Sequence, residues 1–568
     1  MPHSVKLNQE EKNEPHWYLG IDFGTTGIAA VLLNVSNGKQ YPLYWLSNND
    51  RECDKSSFRL PTAVYCHPQS EKNQINSPLT IAWEALSFTQ TRGGIFFENL
   101  KTYLKLGIPY YSREIQQWLP KLKLGEQIVS LYWIQEALEA LLATLTPEYL
   151  KFNLRPLVKA VGLDKKALEA ALESLEGVIF SAPIGWGEIY RFNLREAILK
   201  LKLCQRVEQI FFLEDAIATL LAYLPEKDES PSVNTVTGYT LVINAGATTT
   251  ELALVNLPTN RENLTYSDFY LDSISAGGND LDREIFLQLI YPQWSRNQAQ
   301  LSAEINQPTD LARQERKAAR LVKLILQHRE QFTSQLGNRT WGVKRRDLEV
   351  RVIYPFLEQI NQRLNLLLSQ TGISNELIET VICSGGAIAT LERSLTQLLS
   401  TKFPEATVIK DTQEVRETRV ATGLANLPLY PQVLERTSQQ YSDLFLLCEL
   451  LRIVDEESFT IEQIIQQLER RGINTNICRQ RLIAILNGEL PPGLIPQKVD
   501  RSKLAVSLHP NPEYQAIAAA PLFERENEFS YLPNLQQCQL LRAYFSSLLS
   551  RKKQELVEPL SLNLPSLH

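Results

Sequence analysis

The sequence lacks the cysteine pairs that build disulfide frameworks or hold metals. Its seven cysteines, Cys53, Cys66, Cys204, Cys383, Cys448, Cys478 and Cys538, are scattered without a Cys-x-x-Cys pair, and the six histidines stand near none of them at ligand spacing. A disulfide framework and a zinc site are therefore not expected; reduced thiols in a cytoplasmic protein are. No apolar run reaches the ~18 residues of a membrane span, and the polar opening Met1–Pro15 has no apolar h-region. Neither a membrane anchor nor a secretory leader is expected. Positive charge is not in excess: 58 Lys and Arg against 64 Asp and Glu leave a net −6. That sign argues against nucleic acid or an anionic membrane as main partner, since both are gripped by clustered cations.

What is present is ample material for large cores. The 568 residues are 44% hydrophobic and 21% charged, and at ~150 residues per domain they form roughly three or four lobes. Residues 1–16 read as a disordered leader. Residues 17–224 and 239–430 read as two α/β lobes, separated by the polar loop PEKDESPSVNTVTG. Residues 431–568 read as an all-α, mostly helical region; Ile461, Ile464, Ile465 and Leu468 fall on one helical face.

An internal repeat links the two lobes. Leu19-Gly-Ile-Asp-Phe-Gly-Thr-Thr-Gly-Ile-Ala-Ala-Val-Leu-Leu33 lies on Leu241-Val-Ile-Asn-Ala-Gly-Ala-Thr-Thr-Thr-Glu-Leu-Ala-Leu-Val255 without a gap. Asp22 falls on Asn244, Gly24 on Gly246 and Thr26 on Thr248. Both read as strand, small-residue turn, strand. Glycine lets backbone approach a phosphate closely. Successive N–H groups in such a turn bind anions, and threonine hydroxyls add donors. Two such turns opposed would clamp a nucleoside triphosphate. A carboxylate ending each preceding strand would hold a hydrated Mg²⁺, a role for which Asp22 is placed.

These segments resemble the ATPase domain of the Hsp70 chaperones, in the actin/hexokinase/Hsp70 superfamily, over about residues 17–428. The likeness runs in the family's order. Ile21-Asp-Phe-Gly-Thr-Thr26 resembles its first phosphate loop and Leu60-Pro-Thr-Ala-Val64 its early P-S-x-V strand. Phe97-Glu-Asn-Leu-Lys-Thr-Tyr-Leu104 resembles the segment of its catalytic lysine, here Lys101. Val178-Ile-Phe-Ser-Ala-Pro183 follows, and Phe211-Phe-Leu-Glu-Asp-Ala216 resembles the segment of the glutamate that orients the attacking water, here Glu214. Asn244-Ala-Gly-Ala-Thr-Thr249 stands at the second phosphate loop. Ser275-Ala-Gly-Gly-Asn-Asp-Leu-Asp-Arg283, Cys383-Ser-Gly-Gly-Ala387 and Val420-Ala-Thr-Gly-Leu-Ala425 complete the series.

The resemblance implies an actin-like ATPase fold, two duplicated lobes around a nucleotide cleft, with ATP/ADP and Mg²⁺ as cofactors. Lys101, Glu214, Asp22 and Asn244 would be catalytic. Gly24, Thr25, Thr26, Gly246, Ala247, Thr248, Thr249, Gly277, Gly278, Lys323, Gly385, Gly386 and Ala387 would bind nucleotide, and Asp22 and, through water, Asn244 would serve the metal. The departures matter equally. Asn244 replaces an aspartate and offers a carbonyl but no charge. The two arginines that sandwich adenine correspond to Leu324 and Ala389, which removes cation–π stacking. Nucleotide binding that is weak or poorly base-selective is expected.

The peptide-gripping β-sandwich of that family is not visible after residue 431. Helices joined by Arg471-Gly-Ile-Asn-Thr475 allow a helix-turn-helix, but residues 459–490 carry four arginines against three glutamates, without a basic stripe. A protein partner or client meeting the helical C-terminal region is expected; nucleic acid and membrane are not. Two functional readings stand: a slow or impaired Mg²⁺-dependent ATPase that controls partner binding in a chaperone-like way, and a non-enzymatic pseudo-ATPase scaffold.

Overall fold

The computed structural model describes residues 15–47, 56–68, 78–88, 94–124, 127–224, 236–293, 309–336, 339–411, 416–495 and 512–556. The expected leader lies outside them up to residue 14. Strands β1 (Trp17–Phe23) and β2 (Gly27–Asn34) are buried along their whole length. Apart from Asp22 near the end of β1 and Asn34 at the end of β2, both are runs of apolar and small residues, the pattern of a strand covered on both faces. β3 (Lys39–Leu46) continues the meander antiparallel to β2. On the other side of β1, β4 (Leu175–Ala182) and then β5 (Ile210–Glu214) add in parallel.

The second sheet repeats this plan. β6 (Gly238–Ala245) pairs antiparallel with β7 (Thr250–Leu257), and β7 with β8 (Phe269–Ile274). β9 (Ile378–Ser384) joins β6 in parallel and β10 (Thr407–Lys410) joins β9. Within the eight-stranded first sheet the order β3-β2-β1-β4-β5 matches β8-β7-β6-β9-β10 of the five-stranded second, in position and in direction; Leu157–Ala160 adds a further strand beyond β3 in the first. The two turns match as well. Gly24 N–H donates to Gly27 O at 3.0 Å, and Gly246 N–H to Thr249 O at 2.8 Å. The gap-free repeat in the sequence is therefore the first hairpin of each sheet, and the chain is a mixed α/β protein.

Helix α1 (Glu188–Lys200) follows β4 and α2 (Asp215–Leu221) follows β5. In the second half α3 (Gly278–Ile285) follows β8, then α4 (Thr309–Leu326), and α5 (Arg419–Ala425) comes after β10. One apolar core joins the halves: Val31 and Ile179 of the first sheet, Val242 and Ile382 of the second, with Ile217 and Leu424 of α2 and α5 between. α5 lies so close to its neighbours that glycine is required on both sides. A Cβ on Gly423 would stand 1.6 Å from Ala218 O, and one on Gly20 of β1 2.4 Å from Ala421 O.

The C-terminal region is helical but not all-α. α6 (Asp443–Ile453), α7 (Ile461–Arg470), α8 (Arg479–Leu486) and α9 (Leu535–Leu549) surround a small antiparallel sheet. Its strands are β11 (Phe459–Thr460), β12 (Phe523–Arg525) and β13 (Ser530–Pro533), in the order β11-β13-β12. They escape a sequence reading because two to four residues cannot display a period-two pattern. The amphipathic face of α7 is as expected, with Ile464, Ile465 and Leu468 buried.

Nor is this region separate in packing. Ile108, Tyr110, Ile189 and Phe192 of the first lobe share a core with Leu446, Leu450, Leu541 and Phe545. A strap reinforces it. The Glu196 carboxylate on α1 accepts from Lys553 N–H at 2.9 Å and Gln554 N–H at 3.3 Å, while Gln554 Nε2 donates to Phe192 O at 2.9 Å. Glu196→Ala leaves those N–H groups without their charged acceptor. A loss of about 2 kcal/mol is expected in urea denaturation, with faster tryptic cleavage at Lys552 and Lys553. Among the described residues no helix is long and apolar enough to cross a membrane.

Candidate functional site

The two hairpin turns face one another across a cleft of about 440 Å³. From the first lobe, Asp22 is the penultimate residue of β1, with Ser181 Oγ 3.4 Å from its Oδ1. Gly24, Thr25 and Thr26 of the turn line the wall. Lys101 enters from a short 3₁₀ turn, Leu100–Tyr103, that Asn99 launches from the left-handed region at φ 60°. Its side chain is buried, with Nζ 3.6 Å from Asp215 Oδ2 and 5.9 Å from the centre of the Trp186 ring.

From the second lobe come Asn244, Gly246, Ala247, Thr248 and Thr249. Behind this turn the first residues of α3 are committed to it: Gly278 N–H donates to Gly246 O at 2.9 Å and Asn279 N–H to Ala247 O at 2.8 Å. Gly277 does not line the cleft; it permits this stacking, since its Cβ would fall 2.6 Å from Gly246 O. Gly385 takes φ +98°, and a Cβ there would collide with Ala245 O at 2.3 Å and stand 2.7 Å from Asn244 Oδ1. Gly386 and Ala387 continue the wall beside it. At the far end Lys323 donates to Gly278 O at 3.0 Å and pairs with the buried Asp282 at 2.7 Å. Burial pushes the Lys323 ammonium down and Asp282 pulls it back. Leu324 and Ala389 line that end together, Leu324 exposed.

Polar contacts cross the cleft. The Thr25 and Thr248 hydroxyls hydrogen-bond at 2.9 Å, so the turns touch. Arg316 of α4 reaches Glu98 at 3.1 Å, and Asn279 Nδ2 faces Asn99 Oδ1 at 3.4 Å.

Glu214 is not part of this arrangement. It is the last residue of β5, and its carboxylate accepts from the Tyr266 hydroxyl at 3.2 Å, outside the residues that line the cleft. The acid that reaches the cleft from this corner is its neighbour Asp215, at the start of α2. Burial raises the Asp215 carboxyl, Lys101 opposes the rise, and Asp22 adds to it. Close by, Glu251 of β7 is buried and accepts from Ile184 N–H at 3.1 Å and Ala216 N–H at 3.2 Å. Burial first, and Asp215 second, push its carboxyl well above the ordinary range.

Arg59 is another residue that the motifs do not reveal. Its Nη1 lies 3.0 Å from Asp22 Oδ2 and 3.3 Å from Glu417 O. It stands two residues before Pro61 in the early strand segment, and nothing in that local sequence points to Asp22. A hidden acid also supports the diglycine: Asp411 accepts from Ser384 Oγ at 2.6 Å and from Arg419 Nε at 2.7 Å. An acidic residue inside the apolar run of β7 was the one available signal for Glu251.

The residues around Asp22 do not suit the Mg²⁺ that the sequence reading places on Asp22 and Asn244. One Asp22 oxygen is held by the guanidinium of Arg59, and Asn244 brings no charge. Among the described residues no group of three His, Cys, Asp or Glu side chains could hold a metal ion. Comparison with protein-family models gives no match to this chain, and comparison with curated proteins gives none either.

Proposed function

We propose that this chain is an Hsp70-like, cytoplasmic nucleotide-binding protein of the actin-like ATPase fold. Its cleft takes the polyphosphate of ATP or ADP between two duplicated turns. The observation that carries this reading is the facing of those turns: two equivalent hairpins from two equivalently ordered sheets, in contact through Thr25 and Thr248, with Lys101 buried beside them. Backbone N–H groups and hydroxyls supply neutral donors for phosphate oxygens. Lys101 supplies fixed charge where the terminal phosphate gains it during transfer.

Hydrolysis is slow or impaired. Glu214 faces Tyr266, so Asp215 is the residue that positions an attacking water. Its raised carboxyl makes it a better proton acceptor than an ordinary aspartate. That same carboxylate is already engaged with Lys101. At the other end Leu324 and Ala389 stand where the resembled family has its two adenine-flanking arginines, which weakens binding and base selectivity.

Nucleotide state reaches a protein partner through the first lobe. A phosphate entering between the turns displaces the Thr25–Thr248 contact. Trp186, beside Lys101, leads directly into α1, whose other end carries the Glu196 strap to the C-terminal region. That region offers nucleic acid little. On α8, Arg479 pairs with Glu462 of α7 at 3.2 Å and Arg481 Nε with Asp443 of α6 at 2.6 Å, and the β12–β13 hairpin carries Glu524, Glu526 and Glu528. The second reading, a non-enzymatic scaffold, is favoured by the Arg59–Asp22 pair. Calorimetry with ATP and GTP and a single-turnover assay separate the two. Binding of ATP with a preference over GTP below about tenfold is expected. No binding of either would end the nucleotide reading; hydrolysis no faster than in Asp215→Asn would leave only the scaffold.

A further inference from the structure

We infer that Arg59 is a resident cation of this cleft, on the turn that Asp22 precedes, and that the protein binds the polyphosphate of a nucleoside di- or triphosphate without a divalent metal. The inference rests on the nucleotide reading above and names the cation that reading requires.

The position of Arg59 is built into the sheet. Leu60 pairs with Ile28 and Pro61 with Gly27, so the backbone just beyond Arg59 is locked to the second strand of the first hairpin. Ser57 Oγ accepts from Arg59 N–H at 3.1 Å and donates to Arg59 O at 3.0 Å. The guanidinium then lies on the turn itself. A Cβ on Gly24 would stand 2.0 Å from Nη2, so the first residue of the turn must be bare for the arginine to lie there. Nη1 spans Asp22 and the carbonyl of Glu417, joining the two sides of the cleft.

Two consequences follow from charge. A divalent cation at Asp22 would have to displace an ion pair and then sit beside a guanidinium whose other contact is the Glu417 carbonyl. Mg²⁺ takes oxygen ligands in a near-octahedral shell, and here it would find one engaged carboxylate and one neutral amide. A polyphosphate finds the reverse. Beyond the Nη1 contacts to Asp22 and Glu417, Arg59 offers the remaining N–H donors of a planar guanidinium, a group suited to phosphate oxygens. Lys101 stands on the same cleft wall as a second fixed cation. The charge that Asn244 lacks for holding a metal is matched by a cation already supplied by the chain.

The test is calorimetric titration of the full chain with ADP and with ATP, once in excess EDTA and once with Mg²⁺. The expected result is a Kd in EDTA within about threefold of that with Mg²⁺. Arg59→Gln is expected to bind about tenfold or more weakly in EDTA, with Mg²⁺ restoring part of the loss because Asp22 is then free to serve it. Arg59→Lys, which keeps the charge but not the fork, is expected to fall between; circular dichroism checks that both variants are folded. Wild-type binding that weakens tenfold or more on chelation overturns the inference and leaves nucleotide binding standing. Undiminished binding by Arg59→Gln in EDTA also overturns it. No binding in either buffer removes both.

Discussion

Gly423→Val should strongly destabilise the protein although the residue lies outside the cleft. A loss of about 3 kcal/mol or more is expected, read as a lower urea midpoint. The reason is the closeness of α5 and α2. The first added carbon would lie 1.6 Å from the carbonyl oxygen of Ala218, which is backbone and cannot rotate away. Relief requires α5 to move off α2, and both helices belong to the core shared by the two sheets. On its far side α5 is equally confined, because Gly20 of β1 already brings strand backbone against Ala421 and Ala425. The variant should therefore lose the registration of the two lobes. Gly386→Ala is the matched control: nothing lies within 4 Å of its added carbon, and its stability is expected to change by no more than about 0.5 kcal/mol. Equal stability of the two variants would show that the helices are not packed as described.

The hairpins were legible because everything that makes them is local. An unbroken apolar run, a glycine with hydroxyl residues, and a second apolar run need no distant partner to be recognised. The residues that set the charge of the cleft were not local in this sense. Arg59 meets Asp22 only because Leu60 is registered against Ile28, a pairing that the intervening sequence does not announce. Glu214 and Asp215 are neighbours at a strand-to-helix corner. There the side-chain period changes from two to 3.6, and a shift of one residue decides which acid faces the cleft. Structure gives that place to Asp215 and turns Glu214 toward Tyr266.

Glu251 shows the same limit from another side. The repeat sets Asn244 against Asp22 and Glu251 against Ala29, and the strand register places Asn244 directly opposite Glu251. The acid absent from the end of β6 is thus balanced by one on the adjoining strand. It does not substitute for the missing ligand, because it is buried and bound to two backbone N–H groups. The fold tolerates it through the neighbouring Lys101.

That dependence yields the other large effect. Lys101→Met keeps the length and apolar stem of the side chain and removes only its charge. Asp215 and Glu251 then share a buried place without their cation, and breaking a buried pair from one side costs about 3–5 kcal/mol. The cost must depend on pH. Burial already raises both carboxyls in the folded protein, and Lys101 opposes that rise for each. Removing it raises them further. A raised folded pKa contributes stability that is fully present below the unfolded value, near ~4, and is lost as pH rises through the folded value. Lys101→Met is therefore expected to differ least from the wild type at about pH 4, near the unfolded value, and to be less stable relative to it at about pH 8. Asp215→Asn in the same background removes one of the two acids and should restore much of the loss. Urea denaturation of the three proteins at both pH values decides the matter. A cost for Lys101→Met that does not change with pH would mean that lost packing, not the acid pair left without its cation, is what the substitution disturbs.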